Sequence, residues 1–304
     1  MECNSVFEKP WWLDVVAPDS WHDLTVMEDN KIIARWPIVT NGNRIAMPPL
    51  TQTLGFWISD DVIKSDPFYN KRKKIINCLL DQIPADKSIK ISLDHNADYF
   101  LPFYWKNFII KPRISYRFSN LSNIDNIYNG FNNNVKRNIK SAAKKVIVEN
   151  SEDIEHLQIL LEKTFLLQKR KYPFSKELVR KIFRASQVHK SSSLLYAKDN
   201  EGNIHSGTLL LYDNKVCYNL LVGTDPKYRS SGANTLLIWE GIKFASQVSK
   251  SFDFEGSMIE GIENFYRQFG GKPVVYYEIR KQHFFLEIYE LLKPKIKSII
   301  GYKI

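Results

Sequence analysis

This 304-residue chain lacks long apolar runs, paired cysteines and the common nucleotide and metal signatures. No stretch of about 18 consecutive apolar residues exists, so no transmembrane helix is expected. Its three cysteines, Cys3, Cys78 and Cys217, are too few and too scattered for a disulfide framework or a cysteine metal site. The segment Met1-Glu2-Cys3-Asn4 has no basic stretch followed by an apolar one, so no secretory leader is expected. A reducing cytoplasm is the expected compartment. Also absent are a Gly-Lys-Ser/Thr phosphate loop, a His-Glu-x-x-His pair and a Gly-x-Ser-x-Gly elbow. His22, His95, His156, His189, His205 and His283 are isolated from one another, and each is read as structural or superficial. No metal cofactor is expected.

What is present is a well-stocked core and an uneven charge. Hydrophobic residues make up 44% and aromatics 13%, which excludes general disorder, and the length suits two domains. The formal charge is +10. Between Lys136 and Arg184 thirteen Lys and Arg stand against six Asp and Glu, and from Arg280 to Ile304 six stand against two. The remainder is close to neutral. A localised basic surface calls for an anionic partner, whether a nucleotide-bearing substrate, tRNA or an anionic lipid carrier; a solvated helix face is the plainer alternative. No DNA partner is expected.

Periodicity divides the chain into similar halves. In the second, strands at Leu194–Lys198, Ile204–Tyr212 and Val216–Val222 precede a helix over Ala233–Val248. A strand Ser251–Phe254, a helix Ile259–Phe269 and a strand Pro273–Ile279 follow. In the first, strands Leu24–Glu28, Ile32–Val39 and Arg44–Ala46 lead through a Pro-rich loop to a helix Pro67–Gln82. Strand Ile89–Leu93, helix Asp98–Asn107 and strand Ile109–Phe118 complete it. Phe103-Tyr104-Trp105-Lys106-Asn107-Phe108 echoes Phe265-Tyr266-Arg267-Gln268-Phe269, as expected of an internal duplication. The basic segment between them reads as helices capped by Asn132, Ser151 and Ser175. The expected organisation is an N-terminal half (1–120), a basic helical connection (121–190) and a C-terminal half (191–304) ending in a closing helix.

Two segments carry chemistry. Arg229-Ser230-Ser231-Gly232-Ala233-Asn234 leaves a strand and opens a helix. Small residues there expose backbone N–H groups at a positive helix end, and Arg229 adds a bidentate cation; the turn suits a pyrophosphate, or serves only for close packing. Tyr266 lies in the last helix, ahead of Gly270-Gly271, where a phenol can protonate a departing thiolate or alkoxide, or can simply pack its ring. Glu255, just past strand Ser251–Phe254, is the candidate acceptor for an amine proton, with Asp253 on the same strand face as a substitute. Arg137, Lys140, Arg170 and Lys171 can hold a phosphate-bearing substrate.

Together these segments resemble the GNAT acyltransferase superfamily. The likeness is nearest to its double-GNAT branch, which contains Fem-type peptidoglycan-bridge enzymes and acetyltransferase relatives. It rests on Val135-Lys136-Arg137-Asn138-Ile139-Lys140, Arg229 to Asn234, Phe252-Asp253-Phe254-Glu255-Gly256 and Gly261 to Gly271. Asn234 stands where the superfamily prefers Gly or Ala. The resemblance implies an α/β (α+β) architecture of two tandem GNAT-like domains, each a mixed β-sheet flanked by helices. It also implies acyl transfer to an amino or hydroxyl group. Acyl-CoA (acetyl-CoA) is the first expectation for the donor, with an amino sugar or a lipid-linked cell-envelope precursor as acceptor. Aminoacyl-tRNA is the donor in Fem-type relatives, and a non-catalytic anion-binding module on the same scaffold is a third reading. Peripheral contact with the inner membrane face is compatible with each.

Overall fold

The structure, a computed structural model, describes residues 2–256 and 258–281. Two compact units divide it: residues 2–4, 17–112 and 276–281 fall in the first, and the described residues of 5–16 and 113–275 in the second.

In the first unit, β1 (Trp21–Glu28) pairs antiparallel with β2 (Lys31–Asn41), which pairs with β3 (Arg44–Ala46) and with the two-residue β4 (Trp57–Ile58). Helices α2 (Asp60–Ser65) and α3 (Asn70–Asp81) cross over to β5 (Ser88–Ser92), which runs parallel to β3. Helix α3 buries Ile75, Ile76, Leu79 and Leu80, apolar positions repeating at helical spacing. A short helix α4 (Leu101–Trp105) follows.

Strand β6 (Ile109–Phe118) then carries the chain into the second unit, whose strand order is β6-β11-β10-β9-β8-β7. Helices α5 (Ile124–Asn129) and α6 (Asn133–Ala142) come next, the latter capped by Asn132 as expected. Strand β7 (Ile147–Ser151) was not expected, and it corrects the reading of Ser151 as a helix cap. Ser151 pairs with Leu194 of β8, and α7 (Glu155–Leu167) starts only after Asp153, whose carboxylate accepts the Glu155 N–H. The Tyr196 hydroxyl fixes that start, donating to the Asp153 carbonyl and accepting the Leu157 N–H. Helix α8 (Lys176–Val188) is capped by Ser175. An N-terminal helix α1 (Pro10–Val16), also unexpected, buries Trp12 and Leu13 in this unit.

The meander β8 (Ser192–Lys198), β9 (Ile204–Tyr212) and β10 (Val216–Thr224) forms the middle of the second unit. Leu210 lies against Gly241 of α9 (Ala233–Val248), whereas Gly207 and Gly223 lie against Leu160 of α7. Positions 207 and 210 point to opposite faces of a strand, so α7 and α9 cover opposite faces of the sheet. Helix α9 returns the chain to β11 (Ser251–Asp253), parallel to β10, and α10 (Glu260–Arg267) precedes β12 (Lys272–Lys281). Within the first unit, residues 278–281 of β12 pair antiparallel with β5. The expected closing helix beyond residue 281 lies outside the described residues. No helix among the described residues is long and apolar enough to cross a membrane.

Candidate functional site

The site begins with strands that part company. Strand β11 pairs with β10 only from Val216↔Ser251 to Tyr218↔Asp253, and then ends, while β10 runs on to Thr224. Past Tyr218 β10 has no β11 partner, and at its end the Thr224 N–H is taken by the Thr164 hydroxyl. Asn219 is the first residue beyond the shared stretch. It is buried; its Oδ1 accepts from Thr208 at 2.7 Å and its amide nitrogen has no partner.

A tight turn follows β10 and opens α9. Asp225 caps a 3-10 turn at Pro226–Ser231 and pairs with Lys163 of α7 at 2.6 Å. Tyr228 stacks on His205 with ring centroids 3.9 Å apart. These two contacts pin the loop. Gly232 then takes a left-handed conformation (φ +76°) as the N-cap of α9, with the Asn138 carbonyl 3.3 Å from where a Cβ would stand. The Ser231 hydroxyl accepts the Ala233 N–H at 3.2 Å. Arg229 is exposed beside it.

A pocket of about 630 Å³ joins these features. Arg229, Gly232, Ala233 and Asn234 line it together with Thr164, Leu167, Val222 and Thr224 and with Ile262, Phe265 and Tyr266. The Thr164 hydroxyl ties α7 to β10 by donating to the Thr224 carbonyl and accepting the Thr224 N–H. Asn234 contributes a buried Oδ1 without a partner. Ser230 and Ser231 are not on the wall; Ser231 is engaged in capping.

Tyr266 packs against Phe254 at 5.1 Å. Its phenol is pushed up to about 12, first by burial and then by the charge of Glu255, while the nearby Asn219 side chain pulls the other way. The phenol therefore remains protonated at neutral pH. Glu255 has a left-handed backbone (φ +60°) and a buried Oε1 with no partner. Burial, and then the neighbouring Asp253 charge, raise its carboxyl well above the ordinary range. Asp253 is fully buried and committed: it accepts from Ser115 at 2.5 Å, pairs with Arg117 at 2.7 Å, and accepts the Glu255 N–H at 2.7 Å. Tyr116 donates to Glu263 of α10 at 2.5 Å. Ser115, Tyr116 and Arg117 all come from β6, the last strand of the first sequence half.

The cationic candidates fall elsewhere. Arg137 and Lys140 are exposed on α6, near Asn138, which lines the pocket, and Arg137 bonds Asn134 of its own helix. Arg170 and Lys171 line a separate hollow with Leu166. Asn219 and Thr164 belong to the site and were not singled out from sequence. Asn219 alone left a signal, an amide inside the apolar run Val216–Val222. No group of three or more His, Cys, Asp or Glu able to hold a metal occurs among the described residues.

Comparison with known proteins agrees with this geometry. Residues 129–260 match the family model of the acetyltransferase (GNAT) domain. No curated protein sequence matches significantly. Among solved structures, FemX superposes with a TM-score of 0.68 at 15% identity, over 95% of this chain and 94% of its own. L-PGS from Bacillus licheniformis gives 0.54 at 11%, over 92% and 90%. A tandem GNAT protein from the clavulanic acid biosynthesis pathway gives 0.51 at 9%, over 87% and 83%. At these identities the likeness is one of fold. Residues 129–260 thus match a GNAT acetyltransferase domain, and the chain shares over most of its length the fold of FemX and of the tandem GNAT protein.

Proposed function

We propose that the protein transfers an acyl group from acyl-CoA to an amine on an amino sugar or a lipid-linked envelope precursor. The observation that carries this reading is that Arg229, the start of α9, the β10 wall and the Tyr266 phenol line one pocket. Arg229 and the N-terminus of α9 suit phosphates. The unpartnered Oδ1 of Asn234 suits an amide N–H. These residues fit a coenzyme A ester, whose thioester supplies an activated acyl carbonyl when bound.

The chain's own groups then divide the work. Glu255, in its ionised form and made more basic by its raised pKa, accepts the proton of the attacking amine, directly or through one water. As the C–N bond forms and the C–S bond breaks, Tyr266 gives its proton to the departing sulfur. Asp253, paired with Arg117, holds the Glu255 backbone in place. The test is release of free thiol from acetyl-CoA in the presence of a panel of amino sugars and amines. Acceptor-dependent release by the wild type, lost in Tyr266→Phe, supports the reading. No release with any amine argues against it.

A second reading has its own support. The FemX fold spans almost the whole chain, Fem-type enzymes use aminoacyl-tRNA, and the segment from Lys136 to Arg184 is strongly basic. Under that reading, reversing Lys136, Arg137 and Lys140 weakens tRNA binding with a steep salt dependence, while acetyl-CoA binding is absent.

A further inference from the structure

A second hollow opens where α7 ends. It measures about 780 Å³ and is lined by Leu166, Tyr172 and Phe174, with Lys169, Arg170 and Lys171 around it. Leu166 is 74% exposed and Leu167 57%, an unusual outlay of apolar surface at a helix end. Lys169 turns the chain in a left-handed conformation (φ +55°), and Arg170 folds back over the Phe165 ring. The ring of Tyr172 stands edge-on between Phe165 and Phe174, with its hydroxyl buried and unpartnered. The fourth cation on the rim, Lys176, is paired with Glu162 at 3.2 Å. Lys169, Arg170 and Lys171 make no ion pair among the described residues, which leaves three consecutive free cations next to two wet leucines.

We propose that this corner, Leu166 to Phe174, is a docking surface for an anionic lipid bilayer. Phosphate headgroups would pair with Lys169, Arg170 and Lys171, and an acyl chain would lie over Leu166, Tyr172 and Phe174. The charge selects an anionic partner, and the exposed leucines select one with an apolar interior; a nucleic acid would satisfy only the cations. Leu167 and Gln168, between the leucine and the cations, line the 630 Å³ pocket, so a docked lipid headgroup would sit at the mouth of the candidate site. That last consequence rests on the acyl-transfer reading; the docking itself does not.

The experiment is co-sedimentation of the purified full chain with two vesicle types: pure phosphatidylcholine, and phosphatidylcholine carrying phosphatidylglycerol. The expected result is partitioning onto the anionic vesicles alone. The combined variant Lys169→Glu, Arg170→Glu, Lys171→Glu should bind on the order of 100-fold more weakly, and Leu166→Ser on the order of tenfold more weakly. All four positions are exposed, and an unchanged thermal transition verifies folding. Equal binding to neutral vesicles, or binding that neither variant reduces, overturns the proposal. So does loss in the charge variant alone, with Leu166→Ser at wild-type strength, because that pattern marks a plain polyanion site. Vesicle partitioning reads no acyl chemistry, so failure here leaves the thiol-release result standing, and the reverse also holds.

Discussion

Asp253 accepts the backbone N–H of Glu255 at 2.7 Å, so one carboxylate both fixes and electrically loads its neighbour. The contact holds Glu255 in a left-handed conformation that a non-glycine residue seldom adopts unaided. The Asp253 charge adds to burial in keeping Glu255 protonated above its ordinary range. The next residue, Gly256, has φ +54°, with the Ile114 carbonyl 2.6 Å from where a Cβ would stand, so the chain can turn here only at glycine.

Asp253→Asn should therefore cost stability before it costs anything else. It leaves Arg117 buried without its counter-charge, and breaking a buried pair typically costs about 3–5 kcal/mol. Urea unfolding of the variant measures this. A loss below about 1 kcal/mol would show that Arg117 finds another partner or water.

Glu255→Gln separates activity from stability. A carboxyl whose pKa is raised on folding contributes stability in full below its ordinary value of 4.5, and that contribution is lost as pH climbs through the folded-state value. Glutamine suffers no such loss. The variant should thus gain stability relative to the wild type as pH climbs above 4.5, while acyl transfer falls steeply. A stability difference that stays flat with pH would contradict the placement of Glu255 in a dry site.

Tyr266→Phe should lower turnover by about 10²–10⁴-fold, the usual worth of a positioned general acid. The donor's KM should barely move, because the ring remains against Phe254. With the phenol at about 12, the wild-type pH profile should show no alkaline fall attributable to it near neutrality. Turnover within twofold of wild type would remove Tyr266 from the mechanism.

Much of this arrangement is written locally, and some of it is not. Strand β9 and helix α9 begin and end at the residues that periodicity indicates, because each buries a regular apolar set and α9 opens at Gly232. Strand β7 was missed because Ile147-Val148-Glu149-Asn150-Ser151 offers only two apolar side chains; its pairing with β8 makes it a strand. Of the candidate site, Arg229, Gly232, Ala233, Asn234 and Tyr266 meet in one pocket. The residues that hold Glu255 in place were illegible: Ser115 and Arg117 reach Asp253 only because β6 pairs with β11, a contact across more than a hundred residues that no local pattern records. Asn219 was hidden for a related reason, since its importance comes from where β11 stops.

Gly232→Ala tests the start of α9 without touching charge. A Cβ at φ +76° costs about 1–2 kcal/mol, and it would press on the Asn138 carbonyl and the Ala142 side chain at 3.3 and 3.4 Å. Widening the gap between α6 and α9 should weaken donor binding roughly tenfold or more for each 1.4 kcal/mol lost. Donor affinity equal to wild type, in a folded variant, would mean that the start of α9 is not part of the donor site.

The most direct trial of the central claim is calorimetric titration of the full chain with acetyl-CoA at low and high salt, repeated with Arg229→Glu. The account predicts saturable binding by the wild type, weaker at high salt, and none by the variant. Absence of binding at either salt, or binding unaffected by Arg229→Glu, would contradict it.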